Sequence, residues 1–75
     1  MIRVLFFARL REQMGTSTRE LPFEPGLTVG AIRQTYAPHT TAPLVQAALN
    51  QERVDDAALV NDGDEIAFFP PVTGG

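Results

Sequence analysis

Apolar and polar positions do not alternate cleanly at the start of the chain. In "IRVLFFAR", Ile2, Val4, Phe6 and Ala8 share one face and all are apolar. Arg3, Leu5, Phe7 and Arg9 share the other, which is apolar in its middle and charged at its rims. The period of two and the β-branched and aromatic content predict a strand with apolar residues on both faces. Leu10 to Met14 predicts one helical turn, with Gly15 as its stop. Thr16 to Phe23 reads as a second strand, antiparallel to the first, with Leu21 and Phe23 facing alike. "EPGLT" (Glu24 to Thr28) is a turn leading into a helix, and Thr28 is its N-cap. Val29, Ile32 and Tyr36 fall on one face of that helix, and Pro38 ends it.

After a loop from His39 to Pro43, Leu44 to Leu49 predicts a third strand. A turn at Asn50 to Glu52, a short segment around Arg53 and Val54, and a weak element at Ala57 to Val60 follow. "NDGDE" (Asn61 to Glu65) is a strong reversal signal, because Asp-Gly supplies a positive φ. Ile66 to Phe69 is the last strand. The order predicts an α+β fold, a mixed sheet of about four to five strands with one main helix on one face. Ile66 and Phe68 would face the helix, and Ala67 and Phe69 would point away. If the first and last strands are neighbours, Leu5, Phe7, Ala67 and Phe69 form an apolar patch on the uncovered face, the usual mark of a partner surface. The competing arrangement has the segment Ala57 to Val60 lying over them. Residues 1–69 are read as the domain and 70–75 as an extended tail.

Composition narrows the chemistry. A 75-residue chain makes one small domain that buries only about 60% of its unfolded surface. There is no cysteine, hence no disulfide, thiol nucleophile or persulfide. This fits a reducing cytoplasm. The N-terminal apolar run is short and carries Arg3 and Arg9, so it reads as a strand rather than a signal peptide. No stretch approaches the ~20 apolar residues of a membrane span. A net charge of −3 argues against non-specific nucleic-acid binding. All six cations are arginine and none is lysine. This reads either as composition bias or as a chain whose activated terminus would find no lysine amine of its own. His39 stands alone in a loop, Asp62 and Asp64 lack the remaining ligands of a calcium loop, and Asp55 and Asp56 fit a solvated loop. The glycines make no phosphate loop, and Ser17, in a predicted strand, has no triad partners.

The tail remains as the chemical element. Pro70 and Pro71 favour an extended path, and Val72 and Thr73 disfavour helix. Residues 70 to 75 span up to about 20 Å at ~3.3 Å each. Gly74 and Gly75 have no Cβ, so they can enter a narrow channel. A terminal carboxylate is ionised at neutral pH and is able to attack the phosphorus of ATP.

The stretches "IRVLFFARLRE" with Gly15 after it, "LNQE", and above all "DGDEIAFFPPVTGG" resemble the sulfur-carrier (small) subunits of molybdopterin synthase, within the ubiquitin-like β-grasp proteins. The resemblance covers nearly the whole chain. It implies that a ubiquitin-activating-like adenylyltransferase adenylates the Gly75 carboxylate with ATP and that a sulfur donor converts it to a thiocarboxylate. It further implies that the tail, Pro70, Pro71, Val72, Thr73, Gly74 and Gly75, threads into a large synthase subunit and delivers sulfur to cyclic pyranopterin monophosphate. No bound cofactor or metal is expected. The assembly implied is a heterotetramer of two large and two small subunits, in which Phe7 and Phe69 pack on the large one. The stretch Pro38 to Pro43 is shorter than in other family members, and Arg53 stands where an apolar contact is expected. The alternatives are a sulfur carrier for thiazole or tRNA thiolation, a ubiquitin-like protein modifier, and an interaction domain with an inert tail.

Overall fold

Five strands and two helices form in the order β1 (Ile2–Phe6), α1 (Arg9–Met14), β2 (Thr18–Leu21), α2 (Val29–Thr35), β3 (Gln46–Leu49), β4 (Glu52–Val54) and β5 (Glu65–Phe69). The computed structural model describes residues 1–41 and 45–71 of the chain. The strands make one sheet in the order β2-β1-β5-β3-β4. β1 and β5 run parallel at its centre, and the other pairs are antiparallel.

The double-sided apolar character of β1 follows from this central place. Ile2, Val4 and Phe6 are buried to 1% exposure or less and meet Ile66 and Phe68 of β5, both fully buried. Val29 and Ile32 of α2 are also fully buried and complete the core with Leu10, Val45, Ala47 and Val60. Tyr36 sets its ring edge-on against Phe6 at 5.4 Å. Burial raises the pKa of the Tyr36 phenol, with Arg19 opposing the shift. Alternate residues along β1 and β5 therefore carry the core, the expected result of the two-residue period of a strand.

The ends of α2 show how a seven-residue helix is held. The Oγ1 of Thr28 accepts the amide of Ala31 at 3.2 Å. The amides of Val29 and Gly30 donate to the carbonyls of Ala58 and Asp56 at 3.0 and 2.9 Å. Three first-turn donors, which have no partner within a helix, are thus satisfied. Gly30 makes this approach possible: a Cβ there would lie 3.2 Å from both the Cβ and the carbonyl oxygen of Asp56. The segment at Ala57 to Val60 accordingly packs along α2, through a Thr28–Leu59 bridge and a Val60 amide bond to Leu27. It covers the helix side of the sheet and not the other.

Some boundaries differ from those the pattern predicts. The second strand is confined to Thr18–Leu21; Ser17 lies in a bend, although its carbonyl still accepts the Phe6 amide at 2.9 Å. The third strand begins at Gln46 rather than Leu44, which lies outside the described residues. Asp55 and Asp56 are not simply solvated. Asp55 accepts the Ala57 amide, and Asp56 pairs with Arg33. Gly15 ends α1 in the left-handed conformation, as its place in the sequence predicts.

Candidate functional site

The residues that β1 and β5 turn away from the core lie on a bare face. Parallel pairing sets Leu5 beside Ala67, and antiparallel pairing sets Ala67 beside Ala48 and Phe69 beside Gln46. The result is an open hollow of 440 Å³ with Leu5, Phe7, Ala48, Ala67 and Phe69 as its apolar lining, and Gln51 and Glu65 at its edge. Phe7 is 49% exposed, while Leu5, Ala67 and Phe69 are half-buried. Charge surrounds the apolar centre. Arg3 faces Glu65 at 3.6 Å, and Arg53, opposite Ala48 in the register, belongs to the same face.

The tail starts at the edge of this face. The Phe7 amide donates to the Phe68 carbonyl at 3.1 Å, which carries the β1–β5 ladder to the last turn before Pro70. Phe7 and Phe69 therefore flank the point at which the chain leaves the sheet. Pro70 and Pro71 are half-buried there. Val72, Thr73, Gly74 and Gly75 lie outside the described residues.

Two local devices shape this end of the sheet. Ala8 follows Phe7 with φ 55° and ψ −132°, a backbone conformation that a residue with a Cβ rarely takes. It lets the chain break from β1 so that Phe7 stays on the open face while Leu10 enters the core. Arg33 holds the other flank. Its Nη1 donates to the carbonyls of Thr40 and Val45 at 2.7 and 2.9 Å, and its Nε donates to Asp56 at 3.0 Å. Its guanidinium stands 5.4 Å from the ring centroid of Phe68. These contacts tie the start of β3 to β5, under the residue that precedes Phe69.

Leu5, Phe7, Ala67 and Phe69 are thus brought together as the pattern predicts for neighbouring first and last strands, and Pro70 and Pro71 follow Phe69 out of the sheet. Ala48, Gln51 and Glu65 were not legible as site residues, because they join the hollow only once β3 is placed beside β5. The lone histidine is half-buried and lines a separate hollow of 240 Å³ with Arg9, Gln13 and Pro38. No carboxylate lines that hollow among the described residues. Asp62 and Asp64 serve the turn: Asp64 accepts the Asn61 amide at 2.8 Å, and Asp62 receives the Met1 ammonium at 2.5 Å. That ammonium holds the Asp62 carboxyl below its ordinary pKa. Among the described residues, this architecture presents an open apolar face beside the root of the tail.

The sheet order, with its central parallel pair and α2 on one face, defines a ubiquitin-like β-grasp protein. Its backbone is similar to that of SAMP1 from Haloferax volcanii, with a TM-score of 0.82 and 25% identity over 99% of this chain and 98% of that one. It also matches the fold in a protein-protein complex of subunits 1 and 2 of molybdopterin-converting factor from Helicobacter pylori, with a TM-score of 0.69 and 22% identity over 99% and 97%. The ThiS family matches residues 4–75. The molybdopterin synthase sulfur carrier subunit of Escherichia coli is 44% identical, with both chains covered completely. The chain belongs to the ThiS family and, within it, to the molybdopterin synthase sulfur carrier subunits.

Proposed function

We propose that the chain is the sulfur carrier subunit of a molybdopterin synthase and that its reactive group is the terminal carboxylate of Gly75. The carboxylate oxygen attacks the α-phosphorus of ATP on an adenylyltransferase, and pyrophosphate leaves. A sulfur donor then displaces AMP and leaves a thiocarboxylate. The thiocarboxylate sulfur passes to cyclic pyranopterin monophosphate in a large subunit, and two such transfers build the dithiolene. The exchange is physically sensible, because carboxylate oxygen is a poor leaving group and adenylate a good one. Catalytic acid–base groups belong to the partner. This chain contributes a consumable group at the end of its tail, in the cytoplasm.

The observation that carries this reading is the bare apolar face at the root of the tail. Phe7 and Phe69 flank the exit of the chain, so a protein seated on that face receives the tail at a fixed place. Residues 1–69 then act as the docking body and residues 70–75 as the arm, with Pro70 and Pro71 stiffening its base and Val72 and Thr73 extending it. Gly74 and Gly75 admit it to a narrow channel. The partner is a large synthase subunit, in an assembly of two large and two small subunits. Support for a partner comes from the relatives, which are named as subunits, and from the Helicobacter pylori structure, a complex of two subunits.

The test is intact mass after incubation with ATP, the adenylyltransferase and a sulfur donor. One oxygen of Gly75 should be replaced by sulfur, and deletion of Gly75 should abolish sulfur transfer with the melting temperature unchanged. Misplacing a reacting group by even ~1 Å costs about a hundredfold, and removing a residue shifts it further. A truncated chain with near-normal transfer would refute the reading. Higher-mass conjugates on lysines of other proteins would instead favour a protein modifier, the class suggested by the likeness to SAMP1.

A further inference from the structure

The structure explains only one of the six arginines as an arginine. Arg33 uses the whole fork of its guanidinium: Nε and Nη2 reach Asp56, and Nη1 reaches the carbonyls of Thr40 and Val45, with its side chain only 14% exposed. A lysine ammonium is a point charge and does not reproduce that geometry. The other five, Arg3, Arg9, Arg11, Arg19 and Arg53, are exposed. Arg3 makes a single 3.6 Å ion pair with Glu65, and Arg9, Arg11, Arg19 and Arg53 make no ion pair among the described residues. Lysine would serve their charge equally well, yet no lysine occurs anywhere in the sequence.

Arginine and lysine differ most in nucleophilicity. The guanidinium stays protonated in proteins, whereas a lysine amine with a pKa of ~10.4 is neutral in about one molecule in a thousand near neutral pH. That small fraction is enough to attack an acyl-adenylate. Arg9 and Arg11 lie on α1, which follows directly from the end of β1, beside the exit of the tail from β5. The α-amino group of Met1 pairs with Asp62, at the opposite end of the parallel β1–β5 pair.

We propose that the chain excludes lysine from its own surface so that its activated terminus has no side-chain amine to acylate, which keeps it a sulfur donor and prevents self-conjugation. The reaction avoided is specific. An amine nitrogen would form a bond to the Gly75 carbonyl carbon, the bond from that carbon to the adenylate oxygen would break, AMP would leave with the electron pair, and the amine would lose a proton to water. The product is an isopeptide that can no longer accept sulfur. The inference rests on the sulfur-carrier reading and goes beyond it, because it assigns a role to the cation type at five surface positions.

The test uses the full chain with Arg9→Lys, Arg11→Lys and the double variant, which preserve charge. Each is incubated with ATP and the adenylyltransferase, with no sulfur donor, near pH 8.5. A parallel reaction contains hydroxylamine, which traps an activated Gly75 as its hydroxamate. The readout is intact mass with peptide mapping: a monomer lighter by one water, or two chains joined less one water. Hydroxamate should form on every chain. An isopeptide mapped to residue 9 or 11 should appear in the lysine variants and be absent from wild type. Hydroxamate on all chains with no excess conjugation in the variants overturns this inference alone. So does wild-type conjugation through Met1 at the level of the variants. Absence of hydroxamate from every chain overturns the carrier reading and this inference with it.

Discussion

The two faces of the central strand pair are made from alternate residues of the same two strands and do opposite work. On one side Ile2, Val4, Phe6, Ile66 and Phe68 are sealed to 1% exposure or less. On the other, Leu5 and Ala67 are half-buried and open on a hollow with Phe7 and Phe69. Both faces are apolar at their centre, so hydrophobicity alone does not separate stability from recognition. The difference lies in what covers each face. α2 and the segment Asp55 to Val60 take one, and nothing among the described residues takes the other. A small domain with little surplus stability retains an exposed apolar patch only where the patch has a use.

The sharpest way to break that contrast is to cut equally into both faces. Phe68→Ala removes a fully buried ring that stacks near Phe6 and lies under Arg33. It should cost about 3–5 kcal/mol, a large share of the ~4–11 kcal/mol expected for a domain of this size. Chemical denaturation should show a shifted or lost transition, and an unshifted midpoint would mean that the core is not where it is placed here. Phe7→Ala removes the same ring from the open face. Titration calorimetry with the large subunit should show affinity weakened by about thirtyfold or more, as truncation of a central aromatic anchor does. Its melting temperature should stay within a few degrees of wild type. Equal loss of stability in the two variants would erase the distinction between the faces.

Smaller effects sharpen the comparison at its boundary. Ala8, with its φ of 55°, turns the chain from the open face to the core. Ala8→Gly should relieve strain worth about 1–3 kcal/mol, less about 0.5–1 kcal/mol of added chain entropy. A net gain of about 1 kcal/mol is expected, and a clear loss in urea unfolding would contradict it. The smallest effect belongs to Asp62, fully exposed, whose carboxyl is held below its ordinary pKa chiefly by the Met1 ammonium. Its folded pKa is lowered, so its contribution is present above the unfolded-state pKa near 4 and fades as pH falls through the lower folded value. Wild type should melt slightly above Asp62→Asn at pH 6, and the gap should close towards pH 2. A gap independent of pH would assign the effect to something other than this ion pair.

Much was legible along the chain because it depends on local chemistry. Thr28 caps α2, Gly15 ends α1, and Asp62-Gly63 reverses the chain with Gly63 at φ 89°. Each signal is the conformational preference of one or two residues. The split of β1 and β5 into an inward and an outward set follows from the pleat. The tail was legible by elimination and by its resemblance to the family. Other features stayed hidden because they depend on pairs distant in sequence. Asp56 reads as a solvated acid until Arg33, twenty-three residues away, is brought to it. Gly30 carries no signal of its role until Asp56 is placed against it, where a Cβ would lie 3.2 Å from the Asp56 carbonyl oxygen.

By itself the sequence determined the element types, the inward sets of β1 and β5, the lysine-free surface and the identity of the last two residues. These follow from backbone preference, periodicity and side-chain chemistry, which neighbours along the chain already express. Only the tertiary structure decided that β1 and β5 lie side by side in parallel, and that Ala57 to Val60 folds towards α2 rather than over Leu5 and Ala67. Only then do Phe7 and Phe69 flank the exit of the tail. Strand order and register are settled by which buried faces close together at least cost. That is a property of the whole core, which no single stretch of the chain contains.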